Sequence, residues 1–99
     1  MKASFSRIIN ANTPVLVDFY ADWCAPCKML SPVLKDVKET LGDQVKIIKI
    51  DVDKNTAIAS RFQVRGVPTL ILFKDGRAVW RQSGVLPKPS LLEAVRAHL

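Results

Sequence analysis

Val15-Leu16-Val17-Asp18-Phe19-Tyr20-Ala21-Asp22-Trp23-Cys24-Ala25-Pro26-Cys27-Lys28 joins two different patterns. Val15 to Tyr20 is almost wholly apolar and rich in β-formers, which predicts a strand covered on both faces. After the cysteines, Leu30, Val33, Leu34, Val37 and Leu41 recur at helical spacing. The cysteine pair therefore stands where a strand gives way to a helix. Pro26 suits an early helical position, where its missing N–H costs little. Pro32 falls inside the helix, removes a hydrogen bond to Lys28 and bends it. Gly42 follows the stripe, where a left-handed residue ends a helix well.

Working outward, Ala3 to Asn10 carries Phe5, Ile8 and Ile9 at helical spacing and predicts a short helix, broken by Asn12, Thr13 and Pro14. Val45 to Asp53 reads as a second strand with Ile48, Ile50 and Val52 on one face. Asp53 is placed to cap a helix bearing Ile58 and Phe62. Thr69 to Lys74 is a third strand. Asp75-Gly76 is a hairpin signal, and Ala78 to Ser83 returns as an antiparallel fourth strand. Leu91, Leu92, Val95 and Leu99 form the stripe of a last helix. The order α-β-α-β-α-β-β-α implies parallel pairing through right-handed crossovers, with an antiparallel hairpin at the end. The expected fold is α/β, a mixed four-stranded sheet flanked by four helices, in a single domain over residues 1–99.

The chain has 99 residues and is 48% hydrophobic, enough for a core without staples. No apolar run is long enough to span a bilayer, and Met1 to Asn10 shows no secretory signal. Lys and Arg outnumber Asp and Glu by 15 to 9, but the basic residues are spread along the chain without a block. Dispersed charge reads as solvated surface rather than a nucleic-acid stripe.

A helix N-terminus presents unpaired N–H groups and the positive end of its dipole. A thiolate at Cys24 is stabilised there, so its pKa falls. Cys27 lies one turn further in and is expected to be more covered. Cys24 is then the attacking sulfur, and Cys27 the one that resolves a mixed disulfide. Three other readings compete. A zinc site needs four ligands, and the only further candidate of the usual kind beside the two cysteines is His98. A structural disulfide closing so short a loop adds little stability. Two inert core cysteines sit poorly in a polar, Pro-containing setting beside Lys28. Asp18 interrupts its apolar strand on the face of Leu16 and Tyr20, so a buried carboxyl that tends to hold its proton is expected.

The chain resembles the thioredoxin family from end to end. The matching segments are Val17-Asp18-Phe19-Tyr20-Ala21, Trp23-Cys24-Ala25-Pro26-Cys27-Lys28-Met29, Pro32, Lys49-Ile50-Asp51-Val52-Asp53, Val64-Arg65-Gly66-Val67-Pro68-Thr69, Phe73-Lys74-Asp75-Gly76 and Gly84. The resemblance implies a protein-disulfide reductase that carries electrons through Cys24 and Cys27. It implies that Asp18 is the general acid/base for Cys27 and that Lys49 neighbours the carboxylate. It implies a cis bond before Pro68. It also implies a flat contact surface for partners made by Trp23, Ala25, Pro26, Val52, Gly66, Val67, Pro68, Gly84 and Val85. The implied partners are a thioredoxin reductase, carrying flavin and drawing on NADPH, and disulfide-containing client proteins. The chain itself has no dinucleotide motif, and no cofactor or metal of its own is expected. A cytoplasmic monomer that engages neither nucleic acid nor membrane is the corresponding expectation.

Four departures from the family pattern stand out. Ala25 replaces a usual Gly, Tyr20 a frequent Trp, and Ser83 an often apolar residue. The usual first strand is expected to be missing, since Met1 leads almost at once into the first helix; this leaves an open edge on the Val45–Asp53 strand, guarded by its lysines. Two rival functions share the motif. A disulfide-donating oxidase or isomerase differs only in the direction set by its reduction potential. A non-enzymatic binding module on the same fold commonly lacks one cysteine, and both are present here.

Overall fold

A computed structural model describes residues 4–99. Among them lie four helices, α1 (Phe5–Ile9), α2 (Ala25–Leu41), α3 (Thr56–Arg61) and α4 (Lys88–Arg96), and four strands, β1 (Val15–Tyr20), β2 (Lys46–Asp51), β3 (Thr69–Lys74) and β4 (Arg77–Ser83). One 3₁₀ turn, Gly42–Gln44, follows α2. The sheet order is β2-β1-β3-β4, with β1 parallel to β2 and the other pairs antiparallel. This is the expected thioredoxin-type architecture. The question of a strand ahead of the first helix falls on residues 1–3, outside the described residues, as does Ala3 of the expected first helix.

β1 and β3 are buried at five of six positions each because helices cover both faces of the sheet. Alternate residues feed two separate cores. Leu16, Leu70 and Leu72 pack with Leu30, Leu34, Val37 and Leu41 of α2 and Leu91 and Val95 of α4. Val15, Val17, Phe19, Ile71 and Phe73 pack with Phe5 and Ile9 of α1 on the opposite side. Phe5 meets Phe62 and Phe73 edge-on at 5.5 and 5.7 Å between ring centroids, a favoured aromatic geometry. Ile48, Ile50 and Val52 join this second core as expected, while Ile47 turns to the first.

The hairpin between β3 and β4 uses Asp75 at φ 52° and Gly76 at φ 81°, the two positive values that match the twist of a two-residue loop. Its tip is tied to the α1–β1 link by N–H bonds from Asp75 to the Ala11 carbonyl and from Gly76 to that of Ile9. Gly42 ends α2 at φ 55°, and Lys38 donates to the carbonyls of Gly42 and Val45 at 2.8 and 2.7 Å. Two expectations need correction. Asp53 does not cap α3, whose N-cap is Asn55 without a side-chain bond; the chain turns first around Asp51. Leu99 lies beyond α4 and is exposed, because the helix stops at Arg96 once Leu91, Ala94 and Val95 have covered the sheet. Among the described residues no helix is long and apolar enough to cross a membrane.

Candidate active site

Cys24 is the N-cap of α2, and its Sγ accepts the Cys27 N–H at 3.2 Å. The residue thus occupies the place where a side chain satisfies an otherwise unpaired amide at a helix start. Ala25 and Pro26 fill the first turn, where proline's lack of an N–H is harmless. One turn on, Cys27 is disulfide-bonded to Cys24, with 5.3 Å between Cα atoms. The pair packs with Ala21, Tyr20, Val52 and Val67.

The two cysteines are equally buried, each 3% exposed. The expectation that Cys27 is the more covered does not hold in this oxidised form. Neither does the argument that the surroundings keep the pair from burial. Joined in one bond, each sulfur screens the other, and Ala21, Val52 and Val67 close over both.

On β1, Asp18 is fully buried, and neither carboxylate oxygen has a hydrogen-bond partner among the described residues. Its side chain shares the α2 side of the sheet with Leu16, two residues away. Loss of water pushes its pKa from 3.8 up to about 6, and the positive charge of Lys49 opposes part of that rise. Lys49 is the register neighbour of Asp18 across β1 and β2. Its Nζ donates to Ser31 Oγ at 3.0 Å and lies 4.7 Å from the centre of the Tyr20 ring. The ammonium is therefore held on α2 and an aromatic face, and it acts on the carboxyl through space. A crevice of about 140 Å³ bordered by Cys27, Ser31, Lys28 and Lys49 opens beside this group.

The expected contact residues do not form a single cluster. Val52 and Val67 touch the cysteine cluster directly. Trp23 is 71% exposed and is held by a bond from its Nε1 to Asp53 Oδ2 at 2.9 Å. Pro68 is buried, follows a cis peptide bond from Val67, and accepts the Gly84 N–H at 2.9 Å. Gly66 is exposed, and its carbonyl accepts the Thr69 hydroxyl at 2.6 Å. Val85 is also exposed, next to Gly84, outside the cluster around the cysteines.

Sequence reasoning missed the supports of these groups. Asp51 Oδ1 accepts the Asp53 N–H at 2.9 Å and so presents Asp53 to Trp23; an Asp two residues before another at a strand end is the signal for such a turn. Ser31, Thr69 and Arg81 also went unassigned, and nothing local marks them.

Comparison with known proteins agrees with this geometry. The thioredoxin family model matches residues 1–97. Thioredoxin 1 of Synechococcus elongatus is 41% identical over 98 residues, covering 98% of this chain and 92% of that protein. Chloroplastic thioredoxin Y of Oryza sativa is 43% identical over 98 residues, which cover 98% of this chain but only 58% of that protein. A solved mutant thioredoxin from Halobacterium salinarum superposes with a TM-score of 0.84 at 41% identity, covering 96% of this chain and 85% of that one. With a bridged Cys-x-x-Cys pair at a helix start, this fold and these relatives, the chain belongs to the thioredoxin family and is a thiol–disulfide oxidoreductase.

Proposed function

We propose that the chain reduces disulfides in client proteins, using Cys24 to attack and Cys27 to resolve. The supporting observation is the Cys24 sulfur at the N-cap of α2, accepting the Cys27 amide within bonding reach of Cys27 itself. In the reduced protein, that amide and the helix dipole favour the Cys24 thiolate. The thiolate attacks one sulfur of the client disulfide, forming a mixed disulfide and releasing the other sulfur as a thiolate. Cys27 then loses its proton to Asp18, whose raised pKa suits a proton acceptor near neutral pH. The Cys27 thiolate attacks the Cys24 sulfur, releasing the second client thiol and closing the Cys24–Cys27 bond. Two electrons pass to the client, and a thioredoxin reductase returns them.

Lys49 moderates the Asp18 charge from its perch on Ser31. Trp23, Ala25, Pro26, Val52, Gly66, Val67, Pro68, Gly84 and Val85 form the client surface. Within it, the backbone of Val67 makes no hydrogen bond among the described residues, which leaves it free to pair with an extended client segment. One chain holds both sulfurs and the whole surface, so it works as a monomer. Its place of action is the cytoplasm or a compartment equally reducing, where such a pair stays reduced.

The test is insulin disulfide reduction by the wild type and Cys24→Ser, with a redox titration of the pair. Loss of turnover in the variant and a potential below that of the client disulfides support the reading. Equal turnover, or a potential in the range of disulfide donors, overturns it.

A further inference from the structure

The segment Val64–Pro68 carries part of the client surface and is neither helix nor strand. It begins just past α3, whose last turn is closed where the carbonyls of Ile58, Ser60 and Ala59 accept the N–H groups of Phe62, Gln63 and Val64. Further along the chain, the carbonyls of Phe62 and Gln63 are met from β4. Arg81 donates through Nη1 to the Phe62 carbonyl and through Nη2 to the Gln63 carbonyl, the second at 2.8 Å. Arg81 reaches them because it pairs with Ile71 and shares the sheet face on which Ile71 and Phe62 pack. At Gln63 the backbone turns through φ 53°, and the Val64 N–H closes back on the Ala59 carbonyl at 2.8 Å. Arg81 grips the carbonyls on both sides of the Phe62–Gln63 junction, immediately before the client segment departs.

The far end of the segment is held from the same strand. The Thr69 hydroxyl gives its proton to the Gly66 carbonyl at 2.6 Å, so Ser83 Oγ, 3.2 Å away, is the donor to Thr69. Gly84 donates to the Pro68 carbonyl. Residues 81 and 83 stand two apart and share one face of β4. An exposed edge strand thereby fixes both ends of a segment whose middle must meet partners.

We propose that Arg81 is a positioning residue for client binding: its two-pronged grip on Phe62 and Gln63 sets the path of Val64–Pro68. This rests on the reading of Gly66–Pro68 as client surface. A planar guanidinium reaches two successive carbonyls at once, whereas a lysine ammonium meets them as a point charge and restores only part of the hold. Arg81 takes no part in sulfur chemistry, so its loss leaves Cys24 reactivity alone.

The experiment compares wild type, Arg81→Gln, Arg81→Lys and Val67→Asp in steady-state insulin reduction, with iodoacetamide alkylation of each reduced protein. Arg81→Gln is expected to raise KM about three- to tenfold with kcat held, the size of a lost charge-assisted bond partly screened by water. Arg81→Lys recovers part of it, and alkylation rates match wild type. An unchanged KM in Arg81→Gln beside a raised KM in Val67→Asp overturns the role of Arg81 and leaves the client surface standing. An unchanged KM in Val67→Asp overturns both. Slower alkylation in Arg81→Gln marks a general loss of structure and also overturns the proposal.

Discussion

Trp23 Nε1 and Asp53 Oδ2 meet at 2.9 Å across 30 residues of chain, on the rim of the cysteine pair. The bond holds a side chain that is otherwise largely in water. Asp53 is itself aimed by Asp51, so the end of β2 indirectly sets the attitude of the indole beside Cys24.

Asp53→Ala frees the Trp23 ring. An exposed bond of this kind contributes little to stability, so a change below about 1 kcal/mol is expected in denaturant unfolding. Client reduction is expected to fall about two- to fivefold in kcat/KM, through looser client contact. Steady-state insulin reduction alongside tryptophan fluorescence anisotropy checks both.

Asp18 makes the oxidised protein less stable as pH rises. Its folded pKa, about 6, lies above the ordinary 3.8, so the unfolded chain gives up this proton first. Stability is lost as pH rises from about 4 to 6, and above that range the cost is about 3 kcal/mol, from the gap between the two values. Oxidised Asp18→Asn is expected to be the more stable protein at pH 7.5 by about that amount, with the difference vanishing near pH 3.5. Urea unfolding at the two pH values decides it; a constant difference would contradict the assignment.

Cys27→Ser removes the resolving sulfur while leaving the attacking one. Incubated with an oxidised client, this variant is expected to accumulate a mixed disulfide visible on non-reducing electrophoresis and dispersed by dithiothreitol. Cys24→Ser forms none at a comparable rate. Adducts forming equally on both variants would remove the distinction between the two sulfurs.

Lys38 joins the end of α2 to the start of β2 by donating to Gly42 and Val45. Lys38→Met is expected to cost about 1 kcal/mol, a typical net value for such bonds near a helix C-terminus. Insulin reduction should be unchanged, since the change lies at the opposite end of α2 from Cys24. A thermal melt with an activity assay separates the two effects.

Strand bounds were most legible where the physics was simplest. β1 and β3 are read to the residue because both faces are covered and the apolar run is unbroken. The hairpin was equally plain, since Asp75-Gly76 suits two positive φ angles. Elsewhere a local pattern met a tertiary one. Asp53 has the chemistry of a cap, yet the turn around Asp51 diverts it to Trp23. Leu99 keeps the spacing of its stripe after the sheet has run out of surface to cover. Of the site, the bridged cysteine pair and the burial of Asp18 were legible in the sequence. The grip of Arg81 was not, because a side chain bound to backbone carbonyls 18 and 19 positions away leaves no periodic trace.

The Cys24 sulfur is at once the atom that exchanges electrons and the atom that closes the start of its own helix. When the bond to Cys27 opens, that acceptor changes from a neutral sulfur to an anion, and its hold on the Cys27 amide strengthens. Charge arriving at the sulfur therefore meets an amide donor already in place at the start of α2.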